Sequence, residues 1–308
     1  MNNTLSKKIY FTIATLLVIV IASQNLYSKS DSTKVVNAKW STRKISGDVF
    51  FKQFIFKDSN SIFNSNQVIS IIEVVKGGIT GNKKEKAQKK GKRVVEIVAD
   101  SKRNVLSYLA REHEAIAAVN GSFFDMSKDD NASVTYMRID GEEISTNQLD
   151  SSKKRSFCQK AAIATNGGRL FILEADENNP DWEKSIKADD MLCTGPLLML
   201  DGEQKKLENN SFNNNRHNRT GAAVLKNGTL LLITVDGRSS QANGMSLEEF
   251  RCIGRWLGAV DMVNLDGGGS TTMFIDTTGI INYPSDNKTF DHKGERKIAN
   301  AVIVRFNR

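Results

Sequence analysis

The sequence predicts an α+β fold on a mixed, largely antiparallel sheet with few helices. Three observations carry this. Runs rich in β-branched and aromatic residues recur through the chain, joined by Asp-Gly and Asn-Gly pairs that suit hairpin turns. A single segment carries a full set of helix start and stop signals. No succession of strand–helix–strand units points to a doubly wound parallel sheet.

The elements follow in order. Lys7 and Lys8 precede an apolar stretch from Ile9 to Ala22, fourteen residues long. That is short for a membrane span and suits the central region of a secretory signal, so 1–22 reads as a signal peptide. Residues 23–45 are polar and read as an irregular leader. Residues 46–100 read as N-terminal strands, Val49–Phe56, Val68–Val75 and Val94–Val98, interrupted by a basic loop at 77–92. The region 101–308 holds every chemical motif and reads as the catalytic part, compact with 46–100. Within it, Asn104 is positioned to cap a helix through Leu106, Leu109 and Ala110, and Ala115–Val119 reads as a buried strand. Hairpins are expected at Asp140-Gly141, at Asn166-Gly167-Gly168 and at Asn227-Gly228. Ser246 with Glu249 three residues on forms a capping box, and Gly258 marks the end of that helix. Val260–Leu265, Thr272–Ile275 and Ala299–Phe306 complete the strands.

Charge and cysteine content narrow the function. The formal net charge is +8. Lys7, Lys8 and the segment Lys83–Arg93, with seven basic residues against one acid, account for all of it. That segment has no aromatic residue for base stacking, so nucleic acid is not an expected partner. An anionic envelope polymer is the alternative to a plain solvated loop. The three cysteines, Cys158, Cys193 and Cys252, allow one disulfide at most and show no metal-binding spacing. After signal removal no membrane span remains, and a periplasmic or secreted location is expected.

Four loops that leave apolar strands carry the candidate chemistry. They begin at Asn120, Asn218, Asp236 and Asp266. The most specific is Asp266-Gly267-Gly268-Gly269-Ser270-Thr271-Thr272, where three glycines could turn backbone N–H groups onto an anion and the hydroxyls add donors. Signatures of Walker loops, of Gly-x-Ser-x-Gly esterases and of His-Glu-x-x-His metalloproteases are absent. Of the three histidines, His113 and His292 read as structural, and His217, two residues before Arg219, is a substrate-binding candidate.

Asn-Gly-Ser-Phe-Phe-Asp from Asn120, Thr-Gly-Pro-Leu-Leu from Thr194 with a following Asp-Gly, and His-Asn-Arg-Thr from His217 come first. Val-Asp-Gly-Arg from Val235, Gly-Met-Ser-Leu-Glu-Glu from Gly244 and Asn-Leu-Asp-Gly-Gly-Gly-Ser-Thr-Thr-Met from Asn264 follow in order. This series resembles the phosphodiester glycosidase family over about residues 115–305. One departure is Asn218, where relatives commonly carry proline.

The resemblance implies an exported hydrolase that cleaves a sugar-1-phosphodiester at the glycosidic bond, with a carbohydrate phosphodiester or envelope glycan as substrate. The leaving group is already a phosphate monoester, so the chemistry needs phosphate stabilisation and a carboxylate more than a strong general acid. Asp266 and Asp236 are the leading carboxylates, with Glu248 as a third candidate that the helix start could equally use. Arg219 and Arg238 suit phosphate by bidentate pairing, helped by Gly267, Gly268, Gly269, Ser270, Thr271 and Thr220. Asn120 and Asn264 suit sugar hydroxyls or orientation of the acids, and Phe123 or Phe124 could stack on a sugar. The resemblance implies no definite cofactor; a divalent metal on Asp236 and Asp266 would instead support hydrolysis at phosphorus. A non-catalytic envelope carbohydrate-binding protein is the other alternative.

Overall fold

The computed structural model describes residues 30–81, 93–128, 130–152 and 154–306. The expected signal peptide and residues 82–92 of the basic loop lie outside the described residues. Met1–Ala38 and Lys39–Arg308 are two separate units. In the first, residues 30–36 form helix α1, where an irregular leader was expected. Among the described residues no helix is long and apolar enough to cross a membrane.

In the second unit β1 (Ser41–Ser46) and β2 (Val49–Phe56) form a hairpin, and β3 (Gln67–Val74) pairs with β2. β1 falls in the expected leader; as an exposed edge strand it has no apolar alternation to reveal it. β4 (Arg93–Val98) and β5 (Asn104–Val105) precede α2 (Leu106–Glu112) and β6 (Ala117–Asn120). Asn104 does not cap α2. The Glu295 carboxylate does, accepting from Ser107 N at 2.8 Å and Ser107 Oγ at 2.7 Å, while Asn104 is spent in β5 and on Asp100.

The expected hairpins form. β7 (Met137–Ile139) and β8 (Glu142–Ser145) turn at Asp140-Gly141, both left-handed. β9 (Ala161–Asn166) and β10 (Arg169–Glu174) turn at Gly167-Gly168. After α3 (Trp182–Ser185) come β11 (Asp190–Thr194), β12 (Leu197–Leu200) and β13 (Glu203–Gln204). α4 (Ser211–Asn214) leads to the β14 (Arg219–Leu225) and β15 (Leu230–Val235) hairpin. α5 (Leu247–Trp256) starts with the Ser246–Glu249 capping box, and Gly258 follows it. β16 (Ala259–Asn264), β17 (Met273–Ile275), β18 (Gly279–Ile280), β19 (Lys297–Ile298) and β20 (Ala301–Phe306) close the chain.

The strands assemble into an eight-stranded sheet, two five-stranded sheets and a two-stranded ribbon, with every strand pair antiparallel. The three larger sheets share one core through alternate residues. Ile72 and Val74 of β3, Ala222 and Val224 of β14, Ala161 and Ile163 of β9, and Val302 and Val304 of β20 all point into it. Full burial of each large apolar side chain stabilises by about 1.5–3 kcal/mol. The helices cover outer faces. Leu106, Leu109 and Ala110 of α2 pack on Ala118 and Ile303, and Phe250 of α5 packs so closely on Gly221 that a methyl there would lie 2.8 Å from its ring. The fold is therefore α+β and mostly sheet.

Candidate active site

Antiparallel pairing decides which loops meet. β14 runs between β15 and β16, so its first residues lie beside the last of both: Arg219 opposite Val235, and Gly221 opposite Asn264. In the neighbouring sheet the end of β6 lies beside the starts of β17 and β20, with Val119 opposite Met273 and Asn120 opposite Ala301. The loops after β6, β15 and β16 and before β14 and β17 thus open on one rim.

Hydrogen bonds sew the sheets together there. Asn120 is almost wholly buried; its Nδ2 donates to Asp266 O at 2.7 Å, and its Oδ1 accepts from Thr220 Oγ1 at 2.8 Å and Thr272 N at 3.1 Å. Asp266 N donates to Gly121 O at 3.0 Å. Asn264 Nδ2 donates to Gly195 O and Leu265 O, and its own carbonyl accepts from Thr194 Oγ1. Asn120 therefore holds Asp266 through its backbone, with Thr220 bonded to Asn120 and Asn264 bonded to the preceding Leu265. Beside this frame Phe123, Phe157 and Phe212, from three separate segments of the chain, pack ring to ring at 4.6–6.1 Å. Phe124 instead packs against the α2 core.

The other expected residues divide. Arg219 is 1 % exposed, and its guanidinium donates to three carbonyls: Met245 O at 2.8 Å, Phe212 O at 2.7 Å and Asn215 O at 2.9 Å. It ties loops together more than it reaches outward. Arg238 is exposed, in the left-handed region at φ 61, with its guanidinium lying over Gly268. The glycine run does not form an open anion nest: Gly267 N donates to Asp266 Oδ1 at 2.9 Å, and Gly268 N to Asn218 O at 2.9 Å. Their absent side chains serve close approach, since a methyl on Gly267 would lie 2.7 Å from Asn218 O, and Gly268 has φ 59. The hydroxyls of Thr271 and Thr272 are buried without a protein partner, while that of Ser270 bears on the Asp266 carboxylate. His217 pairs with Met245 through backbone bonds, and burial followed by the charges of Arg219 and Arg238 lowers its pKa. Glu248 stands apart in the first turn of α5, its side chain 56 % exposed and paired with Arg251. All three thiols are free.

The family model of phosphodiester glycosidases matches residues 113–305, more than half of the chain. The chain belongs to the phosphodiester glycosidase family. Among solved structures it is similar to the zebrafish N-acetylglucosamine-1-phosphodiester alpha-N-acetylglucosaminidase catalytic domain auto-inhibited by pro-peptide. That match has 18 % identity and a TM-score of 0.62, and covers 86 % of each chain. It is also similar to a hypothetical protein from Synechocystis at 14 % identity and TM-score 0.55, over 87 % of this chain and 64 % of that one. No curated protein sequence matches it.

In this member of the family the two aspartates differ in setting. Asp266 keeps partial access to solvent at the rim, yet the packed surroundings push its pKa up to about 6, against the pull of the Ser270 hydroxyl, Arg296, Gly267 N and Arg238. Asp236 is wholly enclosed, and burial likewise pushes it up to about 6. Its Oδ1 accepts from Asn282 Nδ2 at 2.9 Å and Tyr283 N at 3.0 Å, and its Oδ2 has no protein partner. Asp236 therefore holds the 282–283 segment. Among the described residues no three His, Cys, Asp or Glu gather in a metal-ligating group.

The raised pKa of Asp236 predicts a pH-dependent stability. The folded state holds its proton more tightly than the unfolded chain does, so this group's contribution is full below about pH 4 and lost as pH rises through about 6. Asp236→Asn keeps the Oδ1 acceptor without the buried charge. It should raise the thermal midpoint at pH 8, by on the order of 1–3 kcal/mol of stability, with the advantage vanishing by pH 4. Calorimetric scans of both proteins across that range check it; a lower midpoint for the variant at pH 8 would contradict the buried-charge account.

Asn282, Tyr283, Arg296 and Asn300 were not evident from sequence. Asn300 Oδ1 accepts from Ser122 N at 2.6 Å, and its carbonyl accepts from Gly121 N. Arg296 presses on Gly269 and pairs with Asp286. Asn282, Tyr283 and Arg296 lie in a polar C-terminal stretch whose composition marks no residue out, and Asn300 stands between two alanines of an otherwise apolar run.

Proposed function

We propose that this chain is an exported hydrolase that cleaves a sugar-1-phosphodiester at the glycosidic bond, with a carbohydrate phosphodiester or envelope glycan as substrate. The observation that carries the reading is Asp266 at the rim, a carboxylate anchored through its backbone by Asn120 and flanked by two guanidiniums. The zebrafish protein's name supports it, since that enzyme acts on N-acetylglucosamine-1-phosphodiester.

On this reading the anomeric carbon faces Asp266, and the bond from that carbon to oxygen breaks. The electron pair leaves with the phosphate monoester, whose charge Arg238 stabilises. The Asp266 carboxylate stabilises the oxocarbenium-like centre or takes a proton from the water that adds to it. Phe123, Phe157 and Phe212 offer an apolar wall to the sugar. Asn264 and Thr220 keep the frame in register.

Turnover of a panel of nitrophenyl sugar phosphodiesters and UDP-sugars in oxygen-18 water tests this. The label is expected in the released sugar. Label in the phosphate product would place cleavage at phosphorus and overturn the glycosidase reading; absence of turnover across the panel, with saturable sugar binding, would favour a binding protein.

A further inference from the structure

Arg296 meets the loop that carries Asp266 at Gly269. Its guanidinium and the carboxylate of Asp286, with which it pairs, occupy the space that a methyl on Gly269 would need. Gly269 takes no positive φ, so its missing side chain serves this contact and not a turn. The contact brings a positive charge to bear on the Asp266 carboxylate. Arg238, lying over Gly268, is the other cation that does so, and the buried thiol of Cys158 is the titratable group that feels the carboxylate in turn.

The backbone on both sides of Arg296 is fastened down. Glu295 accepts from Ser107 N at 2.8 Å and from Ser107 Oγ at 2.7 Å, in the first turn of α2. Lys297 and Ile298 form β19, paired with Val105 and Asn104 of β5 just ahead of that helix. Ile298 also packs with Leu106 and Leu109. A nearby serine, asparagine or aspartate suffices to cap a helix start. Here the cap comes from 188 positions away, from the residue next to the arginine that touches the Asp266 loop. The helix cap and the site cation are consecutive residues, so displacing the first displaces the second.

Resting on the phosphodiester reading above, we infer that Glu295 is a positioning residue for that reaction, which by capping α2 holds the Arg296 guanidinium at Gly269 beside the working carboxylate. The Asp286 pair alone does not fix the arginine, because both side chains are partly exposed and such pairs hold weakly. Two hydrogen bonds onto a carboxylate at a helix start hold more firmly. With that anchor lost the cation moves toward solvent, and Asp266 keeps its proton to higher pH.

The pH dependence of kcat/KM on a nitrophenyl sugar phosphodiester tests this in the full chain. Glu295→Ala should move the rising limb of the profile upward by about half a pH unit, roughly threefold in rate at its foot, with a smaller loss on the plateau. Arg296→Gln should move it further, and Glu295→Ala should add nothing on that background. Ser107→Ala removes one of the two bonds without touching the loop. It should move the limb the same way by less, and it guards against a Glu295→Ala protein that fails to fold. A purely structural cap would lower the thermal midpoint and leave the profile where it is. That result, or additive effects of the two loop substitutions, overturns the inference. Carbon-13 NMR of labelled aspartate carboxyls, with Asp266→Asn assigning the signal, reads the same movement without turnover. A moved titration in a chain that hydrolyses no sugar phosphodiester keeps the link from Glu295 to Asp266 and loses the phosphodiester reading. Hydrolysis with an unmoved profile does the reverse.

Discussion

Asp266→Asn should lower kcat by roughly two orders of magnitude or more while KM stays within a few-fold. The substitution keeps the shape of the side chain and the Oδ1 acceptor that Gly267 N reaches at 2.9 Å. The backbone frame from Asn120 Nδ2 to Asp266 O, and from Asp266 N to Gly121 O, does not involve the carboxylate at all. What disappears is the negative charge beside the reacting carbon. Two further signs follow from the pKa of about 6 that burial gives this group. The ionised form is the working one, so the wild-type rate should rise with pH through about 6 and level off above it.

Stability should move the other way. The folded state favours the protonated acid, so this group's contribution is present below about pH 4 and lost as pH climbs through about 6. At pH 7–8 the asparagine variant should therefore be at least as stable as the wild type. Loss of rate without loss of thermal midpoint is the signature, and kcat and the midpoint are read on the same preparation. A folded Asp266→Asn protein with near-normal turnover would remove the carboxylate from the mechanism.

Arg219→Lys should cost stability more than it costs phosphate affinity. The guanidinium is almost wholly buried and reaches Met245 O, Phe212 O and Asn215 O at once, from two of its nitrogens. It also lies 5.1 Å over the Phe212 ring. A lysine has one nitrogen and no planar fork, so it leaves part of that carbonyl set unpaired. Burial already lowers the arginine pKa to about 10, and the same burial would push a lysine ammonium toward neutrality. The expected loss is about 3 kcal/mol, roughly 10 °C in thermal midpoint for a domain of this size. KM for a phosphodiester, measured well below the midpoint, should change only modestly. A variant with a wild-type midpoint and a KM raised for phosphodiesters alone would show that Arg219 is a phosphate ligand after all. Arg238 is the contrasting position, since it has no such buried carbonyl set and stands exposed over Gly268.

The features legible in the sequence are those whose causes are local. Asp140-Gly141 and Gly167-Gly168 turn hairpins because consecutive residues there take positive φ, which Gly and Asp tolerate. Helix α5 starts at Ser246 because its hydroxyl and the Glu249 carboxylate satisfy each other's backbone three residues apart. The ordered motifs pointed to the family because each is contiguous and compact.

The tertiary structure alone decided what depends on distant partners. Asn104 looked like a cap, yet Glu295, 188 residues away from Ser107, caps α2. The glycine run looked like an anion nest, yet Asp266 Oδ1 and Asn218 O take the N–H groups of Gly267 and Gly268. Arg219 and Arg238 looked equivalent in sequence, and burial separates them into a structural tie and an exposed cation. Asp236 and Asp266 looked like a pair, yet Asn282 and Tyr283 hold the first in the interior while the second keeps partial access to solvent at the rim. A polar group's role is set by which groups remain to satisfy it once the chain is packed, and that count is not written in its neighbours along the sequence.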